Sequence, residues 1–532
     1  MDIPNELLDN PAVWGIYHRR LRQQSYVFED YNNPFRHRPF LILPLLIKPR
    51  NKGYKKSRQA GVSENAVTET LWALDQHPIN VVYTFPSPKQ VEDFSNTRFK
   101  PALIDSKRDY LKSIMGDPQN VTLRKIGKGY LFLRSSSNPN LGEGIDADMV
   151  VFDEIDRMRA NVGIAFKESL SSSKFGWVRE VSTPTLPNKG IDIFWQKSNQ
   201  MLWQVKCEAC GKWQPLEYPK NIKQLKEDPP YSKLVEPGTY AFCCSKCKSE
   251  KIDRWNGRWV PTYSGRPDHV CFQINQLMCV WITADQIMQK KKDYRFLQLF
   301  YNYVLGETYA ADNILLDQRH LEGCMDPELR YEVARTPRYS KIVVGIDWGN
   351  LNWCVVYGIS ESGVPSLLNL KMAEDNSEPL GSAKEIEKFI APFKPDIIVA
   401  DWGYGKDRVT YLSKQFPGRV YGCTYLRDAR SLAPRFSETT NTVNVDRTGW
   451  LKGLASQFRD KKVRVPVPDQ LPLLDIYAKQ MTTSVLMHEE DDDGEIKERV
   501  DNIGDDHFYH ATGYAFMGME FGSGGSFSFD FL

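Results

Sequence analysis

Apolar and polar positions change rhythm three times along this chain. From residue 41 to about 200, short apolar runs alternate with polar, helix-compatible stretches. The runs are VVYTF at 81–85, YLFLRS at 130–135, MVVFDE at 149–154 and VREVSTPT at 178–185; one intervening stretch is PKQVEDFSNTRFKPALI. Near-continuous apolar runs mark strands covered on both faces, and strands that alternate with helices predict a mainly parallel sheet. Between about 201 and 265 the pattern breaks into Trp-, Lys- and Pro-rich sequence, which reads as a small inserted module. Segment 266–340 holds a predicted amphipathic helix (ITADQIMQKKKDYRFLQLFYNYVLG) and a polar passage (LEGCMDPELRYEVARTPRYS) read as a linker, which sets a domain boundary near 335. A second α/β alternation follows: KIVVGIDWG, a predicted hairpin in WCVVYGISESGVPSLLNLKMAE, a helix over 381–393, PDIIVADWG and further helices. The run HEEDDDGEIKERVDN at 488–502 reads as an exposed loop or hairpin, because clustered like charges repel and stay solvated. The expected layout is a helical cap at 1–40, an α/β domain at 41–335 that includes the 201–265 insertion, a second α/β domain at 336–515, and a Gly/Ser-rich flexible tail at 516–532.

Composition narrows the class. A chain of 532 residues with 41% hydrophobic and 12% aromatic content is long and apolar enough for two or three ordinary cores. No apolar run approaches the roughly 18 residues of a membrane span. The start, MDIPNELLDNPAVW, has no basic segment followed by an apolar one, so a soluble, intracellular protein is expected. With 69 basic against 67 acidic residues, the net charge of +2 excludes nucleic-acid binding by bulk attraction. Any such contact must be local. HRRLR at 18–22 and KKK at 290–292 read better as solvated faces, whereas KPRNKGYKKSR at 48–58 leads into a candidate site.

That site is Lys56-Ser-Arg58-Gln59-Ala60-Gly61-Val62-Ser63, which has the length, the late Gly and the Ser of a loop that wraps backbone N–H groups around phosphates. Val62 occupies the usual Lys position, so Lys56 or Arg58 must supply the charge; the competing reading is a plain basic loop entering the helix SENAVTETLWAL. MVVFDE strengthens the phosphate reading. Its Asp153 suits a Mg2+ ion, directly or through water, and its Glu154 suits the orientation of an attacking water. The hydroxyl-rich strand end Val181-Ser-Thr-Pro-Thr185 suits an element that senses the γ-phosphate.

Ten cysteines in a long intracellular chain indicate thiols or metal ligands rather than a disulfide framework. Cys207-Glu-Ala-Cys210 and Cys244-Ser-Lys-Cys247 are two Cys-x-x-Cys knuckles, the donor set for a tetrahedral structural Zn2+, although their separation exceeds the usual zinc-ribbon gap and Cys243 is an alternative to its neighbour. In the second half, Asp347 ends KIVVGID, Asp401 ends PDIIVAD, and Asp505-Asp506 precede HFYHATGYAFM. Two strand-end acids and a late acid at a helix fit an RNase H-like layout, in which carboxylates converge on two Mg2+ or Mn2+ ions for phosphodiester hydrolysis.

Taken together, KSRQAGVS, the Asp-Glu strand, STPT and WQVKCEACGKWQPLEY resemble the large terminase subunits of tailed bacteriophages, in particular the lambda-like branch, over about residues 40–520. The resemblance implies an N-terminal ATPase of the P-loop type that drives double-stranded DNA into a procapsid, joined to an RNase H-like nuclease that cuts the concatemer. It favours Lys56 as the phosphate ligand, with Gly61, Ser63, Asp153 and Glu154 on ATP, and assigns Asp347, Asp401 and an acid near 506 to metal. It implies a homo-oligomeric ring on the portal protein, a small terminase subunit as partner, no membrane, and residence in the host cytoplasm with transient stays on the procapsid portal. Two departures stand out. Gly142 lies where the family often has an arginine finger, which leaves Arg134 or another arginine for that role. His510 fills the slot of the last nuclease acid, so Asp506, one turn earlier, is preferred, with Asp505 and His510 as helpers. Two alternative functions are a helicase-like DNA-remodelling ATPase with a non-catalytic RNase H-like domain, and a zinc-containing DNA-binding or capsid-assembly adaptor.

Overall fold

Strands without a polar face must be covered on both sides, and the first half of the chain is built on such strands. Val81–Phe85 and Met149–Asp153 are buried at every position. The computed structural model describes residues 5–137, 144–158, 162–229, 232–310, 313–374, 380–426, 433–490 and 495–521. The chain divides into two units, Met1–Tyr309 and Ala310–Leu532.

In the first unit the elements that position the site are β1 (Asn51–Lys56), α1 (Val62–Gln76), β2 (Val81–Phe85), β3 (Gly129–Ser135), β4 (Met149–Asp153), β5 (Trp177–Ser182), β6 (Met201–Cys207) and β7 (His269–Ile274). They form a mixed α/β fold around a large, mostly parallel sheet. Its order is β6-β7-β1-β5-β4-β2-β3, parallel throughout, with antiparallel strands added at both edges. Because β5 lies between β1 and β4, the carboxyl ends of all three emerge together. The N-terminal residues add to this core rather than standing apart from it: Trp14, Tyr26, Phe28 and Phe40 pack with α1 and the sheet.

Several expectations need correction. The 201–265 segment is not a detached insertion: β6 pairs in parallel with β7, and Ile252–Pro261 and Trp213–Pro215 pair with β6. Alternate burial of Met201, Trp203 and Val205 carries the main core into this segment. The long amphipathic helix is broken. It runs over Ala284–Asp293, with Thr283 and Gln286 forming a capping box, and helical turns resume only at Leu297. The boundary falls at 309/310 rather than 335, and the polar passage is not a linker. Three of its apolar side chains, Leu321, Cys324 and Leu329, are buried, and Met325–Asp326 pairs with Val465–Pro466.

In the second unit, β8 (Tyr339–Asp347), β9 (Leu351–Ser360), β10 (Pro365–Glu374), β11 (Ile397–Asp401), β12 (Val420–Leu426) and β13 (Thr442–Asp446) are followed by α2 (Arg447–Arg459), the hairpin β14 (Ser484–Glu490) and β15 (Ile496–Asn502), and α3 (His507–Glu520). The sheet order is β10-β9-β8-β11-β12-β13, with Arg435–Ser437 at the outer edge. The β10-β9-β8 part is antiparallel and the β8-β11-β12-β13 part is parallel. The predicted tail also needs correction: α3 runs to Glu520 and buries Phe516, Met517 and Met519, so only residues beyond 521 of that tail lie outside the described residues. The reason is that α3 is apolar on nearly all sides, which only a covered helix tolerates.

Helix α3 lies against β8 at Gly345. A Cβ added there would sit 1.8 Å from the Ala511 carbonyl oxygen, a backbone atom that cannot rotate away. Gly345→Ala is therefore expected to destabilise this packing by about 2 kcal/mol or more, seen as faster hydrogen exchange of the α3 amides; unchanged protection would show that the helix yields freely.

Candidate functional site

The loop after β1 turns sharply into α1. Gln59 and Gly61 both take positive φ, 63° and 93°, and Gly61 caps the helix without a side-chain cap of its own. The first amides of α1 are therefore left for an external acceptor, which is the property of anion-binding helix starts. The loop is fixed from behind: Ser57 N donates to Ile274 O at 2.7 Å, and Arg58 N donates to Tyr303 O at 2.8 Å. The Arg58 guanidinium stacks 3.4 Å from the Tyr303 ring centroid. Ala60 and Val62 are buried, so within the loop their contribution to a ligand is backbone, while Ser63 stands in the first turn of α1.

At the end of β1, Lys56 Nζ donates to Glu154 Oε1 at 2.7 Å and to Thr183 Oγ1 at 3.2 Å. Glu154 has left-handed backbone geometry (φ 60°), a strained position that aims its carboxylate across β5. Its second oxygen accepts from Thr183 N at 3.3 Å. Burial alone would raise the Glu154 carboxyl, but the charge and hydrogen bond of Lys56, together with Arg157 and the Thr183 N–H, outweigh it and hold the group below its ordinary range. Asp153 behaves oppositely: burial pushes it up to about 6 despite Lys56, and it accepts from Tyr83 OH at 2.9 Å. The structure thus brings Lys56, Asp153, Glu154 and Thr183 together at one sheet edge. Arg134 is engaged elsewhere, donating to the carbonyls of Thr122 and Leu133, and Gly142 lies outside the described residues. Residue reasoning missed Tyr83 and Tyr303, because nothing local in sequence marks Tyr83 as a neighbour of Asp153 or Tyr303 as a neighbour of Arg58.

The four knuckle sulfurs also converge. Cys207, Cys210, Cys244 and Cys247 place all Sγ atoms within 4.8 Å of one another, and two cross-pairs lie at 3.7 Å. A tetrahedral ion with metal–sulfur bonds of about 2.3 Å requires sulfurs about 3.8 Å apart, so these side chains fit such an ion. Cys243 is not part of the group; its thiol faces the Lys220 carbonyl.

In the second unit, Asp347 and Asp401 end adjacent parallel strands, with Ile346 in register with Ala400. Burial and the Asp347 charge both raise the Asp401 carboxyl, which accepts from Tyr404 N at 2.8 Å and Gly403 N at 3.3 Å. Asp347 Oδ2 lies 2.8 Å from His507 Nδ1, and the His507 ring is parallel to Trp353 at 5.6 Å. Asp506 is drawn to a different partner. Burial would raise it, but His510 Nε2 at 3.3 Å holds it low, and Arg447 also contacts His510. The carboxylate oxygens of Asp347, Asp401 and Asp506 do not all lie within 4.8 Å of one another; among the described residues only the Cys set does. Asp505 contributes its backbone carbonyl to Thr483 Oγ1. His507 was legible only as part of a helix.

Residues 51–262 match the family model described as phage terminase large subunit gpA, ATPase domain. This segment is similar to a terminase ATPase domain. The match includes the Lys56 loop, the Asp153-Glu154 strand and all four clustered cysteines, and it ends before the second unit. Among solved structures, the large terminase of bacteriophage HK97 is 12% identical and aligns over 96% of this chain and 99% of its own, at a TM-score of 0.51, which shows a shared fold. The large terminase of the thermophilic bacteriophage D6E is 14% identical over 88% of this chain and 93% of its own, at a TM-score of 0.32. The large terminase nuclease of the thermophilic phage G20c is 13% identical over 38% of this chain and 97% of its own, at 0.27. At such TM-scores the last two support no conclusion here. No curated protein matches this chain. No helix among the described residues is long and apolar enough to cross a membrane.

The Asp347 hydrogen bond raises the His507 pKa above the usual value of about 6.5. Its contribution to stability is complete below that usual value and is lost as pH rises through the raised one. Carbon-13 NMR of labelled histidines is expected to show His507 titrating late, and Asp347→Asn to return it towards the ordinary range; an unchanged titration in the variant would remove the pairing.

Proposed function

We propose that this chain is the large subunit of a viral DNA-packaging motor, in which ATP hydrolysis by the first unit drives double-stranded DNA into a procapsid and the second unit, an RNase H-like nuclease, cuts the concatemer. The observation that carries the motor is the Lys56–Glu154–Thr183 cluster at the mouth of the phosphate loop, inside a segment that matches the terminase ATPase family. In this reading the backbone N–H groups of Gln59 to Val62 cradle the ATP phosphates, with Lys56 on the outer oxygens, while the Arg58 N–H stays on the Tyr303 carbonyl. When Lys56 turns to phosphate it leaves Glu154, whose carboxylate then accepts the proton of the attacking water. Thr183, bonded to both, registers that exchange and passes it along the segment after β5. Asp153 and Ser63 hold the Mg2+ ion, which supplies charge neutralisation on the phosphates.

The nuclease assignment rests on Asp347 and Asp401. Two carboxylates side by side at strand ends, one raised by burial and by the other's charge, form a hard-oxygen donor set that a divalent cation would relieve. Asp506 and Asp505 would complete that donor set for Mg2+ or Mn2+, which would supply activation of water and charge stabilisation of the leaving oxygen. The Cys207, Cys210, Cys244 and Cys247 set holds a structural Zn2+ that closes the far end of β6. As a motor subunit the chain works in a homo-oligomeric ring with a small terminase subunit and the portal protein, in the host cytoplasm. One observation favours a second reading, a DNA-remodelling ATPase whose second unit does not cut: His510 and Arg447 engage the neighbourhood where a third acid would otherwise face the pair.

Glu154→Gln is expected to lower ATP turnover by about 100-fold or more while nucleotide binding persists, and Asp347→Asn to abolish metal-dependent DNA cutting with ATP turnover intact. ATP hydrolysis that survives the first change overturns the motor assignment; a wild type that cuts no DNA favours the second reading.

Metal analysis of the purified chain is expected to give close to one zinc per molecule, lost in Cys207→Ser/Cys244→Ser together with folding of the 201–265 region. A wild type devoid of zinc and equally stable with chelator would leave the four thiols as free cysteines.

A further inference from the structure

The two strand-end aspartates share a local sequence, Asp347-Trp348-Gly349-Asn350 and Asp401-Trp402-Gly403-Tyr404. Since β8 and β11 are parallel neighbours, the two Asp-Trp-Gly corners leave the sheet side by side. They are locked by close packing. A Cβ added at Gly405 would lie 1.8 Å from Trp348 Cδ1, so the indole rests directly on the backbone that follows Tyr404. Trp402 packs in the same way on Gly422 of β12.

Tyr404 is held at both ends. Its N–H donates to Asp401 Oδ2 at 2.8 Å and its hydroxyl donates to Asn350 Oδ1 at 3.2 Å. Despite these restraints the residue is 60% exposed. One cation lies near its ring and a second near the adjacent Trp402 ring. The Arg408 guanidinium, on the helix Lys406–Gln415, lies 5.7 Å from the Tyr404 ring centroid and 5.6 Å from that of Trp348, and its Nε donates to Ser382 Oγ at 3.3 Å. Lys406 is exposed with Nζ 5.9 Å from the Trp402 ring, and Asp407 is the acid between them.

Two carboxylates repel a phosphate, so a backbone brought to Asp347 and Asp401 needs attraction from beside them. An immobilised, exposed aromatic ring with cations beside it is an arrangement that binds single nucleic-acid strands with little regard to sequence, so it would take a base freed from the duplex at the cut site, every such base presenting a π-face and every link a phosphate. We propose that Tyr404, Lys406 and Arg408 form a strand-holding platform on which one DNA base stacks against Tyr404 while the two cations take the flanking phosphates, seating the intervening phosphodiester over Asp347 and Asp401. This rests on the nuclease reading of the second unit. Tyr404 acts by positioning; its hydrogen bond to Asp401 ties the platform to the acid it serves.

The test uses the full chain and DNA carrying 5-iododeoxyuridine, photo-crosslinked in calcium and mapped by mass spectrometry, beside manganese-dependent cutting kinetics. A crosslink at Tyr404 is expected. Tyr404→Ala is expected to raise KM for DNA about tenfold, as loss of one base stack does, with kcat little changed, whereas Tyr404→Phe keeps the ring and the wild-type KM. Crosslinks confined to residues outside 402–408, or a Tyr404→Ala variant with wild-type KM, overturn the platform. Should the wild type cut no DNA, the nuclease reading fails by itself; the crosslink then decides, its presence at Tyr404 keeping the platform and its absence removing it.

Discussion

A parallel strand covered on both faces can present polar groups only where it ends, and that constraint organises both units. In the first, β1, β4 and β5 run the same way with β5 in the middle, so Lys56, Asp153-Glu154 and Thr183 surface on one edge. In the second, β8 and β11 do the same for Asp347 and Asp401. The chemistry-bearing residues are distant in sequence, and sheet order alone makes them neighbours.

The same constraint makes charge beneath the phosphate loop expensive unless it is paired. Glu69 of α1 lies 3.0 Å from Lys52 Nζ of β1 and 2.7 Å from Arg179 Nε of β5, and all three side chains are buried. Burial lowers the Lys52 pKa to about 8 even beside Glu69. Leaving one such charge without its partner costs about 3–5 kcal/mol, so the triad fixes the helix that carries the loop to the two strands that carry its partners. Lys55, one residue before Lys56, pairs at 2.8 Å with Asp192 of the separate helix Ile191–Lys197. The site is therefore supported by interactions that resist sliding of α1 over the sheet.

Much of this was legible in sequence, for particular reasons. Apolar runs such as VVYTF and MVVFDE mark covered strands because period and length both agree, and Cys-x-x-Cys pairs carry their own geometry. The parts that were not legible depend on pairing across the chain. Whether 201–265 is an insertion or an edge of the sheet turns on which strand Met201–Cys207 meets, and no local pattern states that its neighbour is His269–Ile274. The passage at 321–340 looks like a linker because its apolar residues are few and widely spaced, yet Leu321 and Cys324 suffice to anchor it. At the candidate sites, acids at strand ends were visible, but His507 beside Asp347 and Tyr83 beside Asp153 arise from packing between distant segments.

The two acid pairs also differ in how their charge is balanced. Asp153 and Glu154 have Lys56 within the protein, and the effect is visible in the depressed Glu154 carboxyl. Asp347 has His507, and among the described residues neither Asp347 nor Asp401 forms an ion pair with Lys or Arg. A histidine can give up its proton, whereas a lysine in such a place keeps its own, so the second pair is the one whose internal counter-charge is removable. On the proposed nuclease reading, a divalent cation at that pair would displace a proton from His507 rather than break a salt bridge to Lys or Arg. On the proposed function the first centre would exchange one cation partner for a phosphate, and the second would accept a cation from outside.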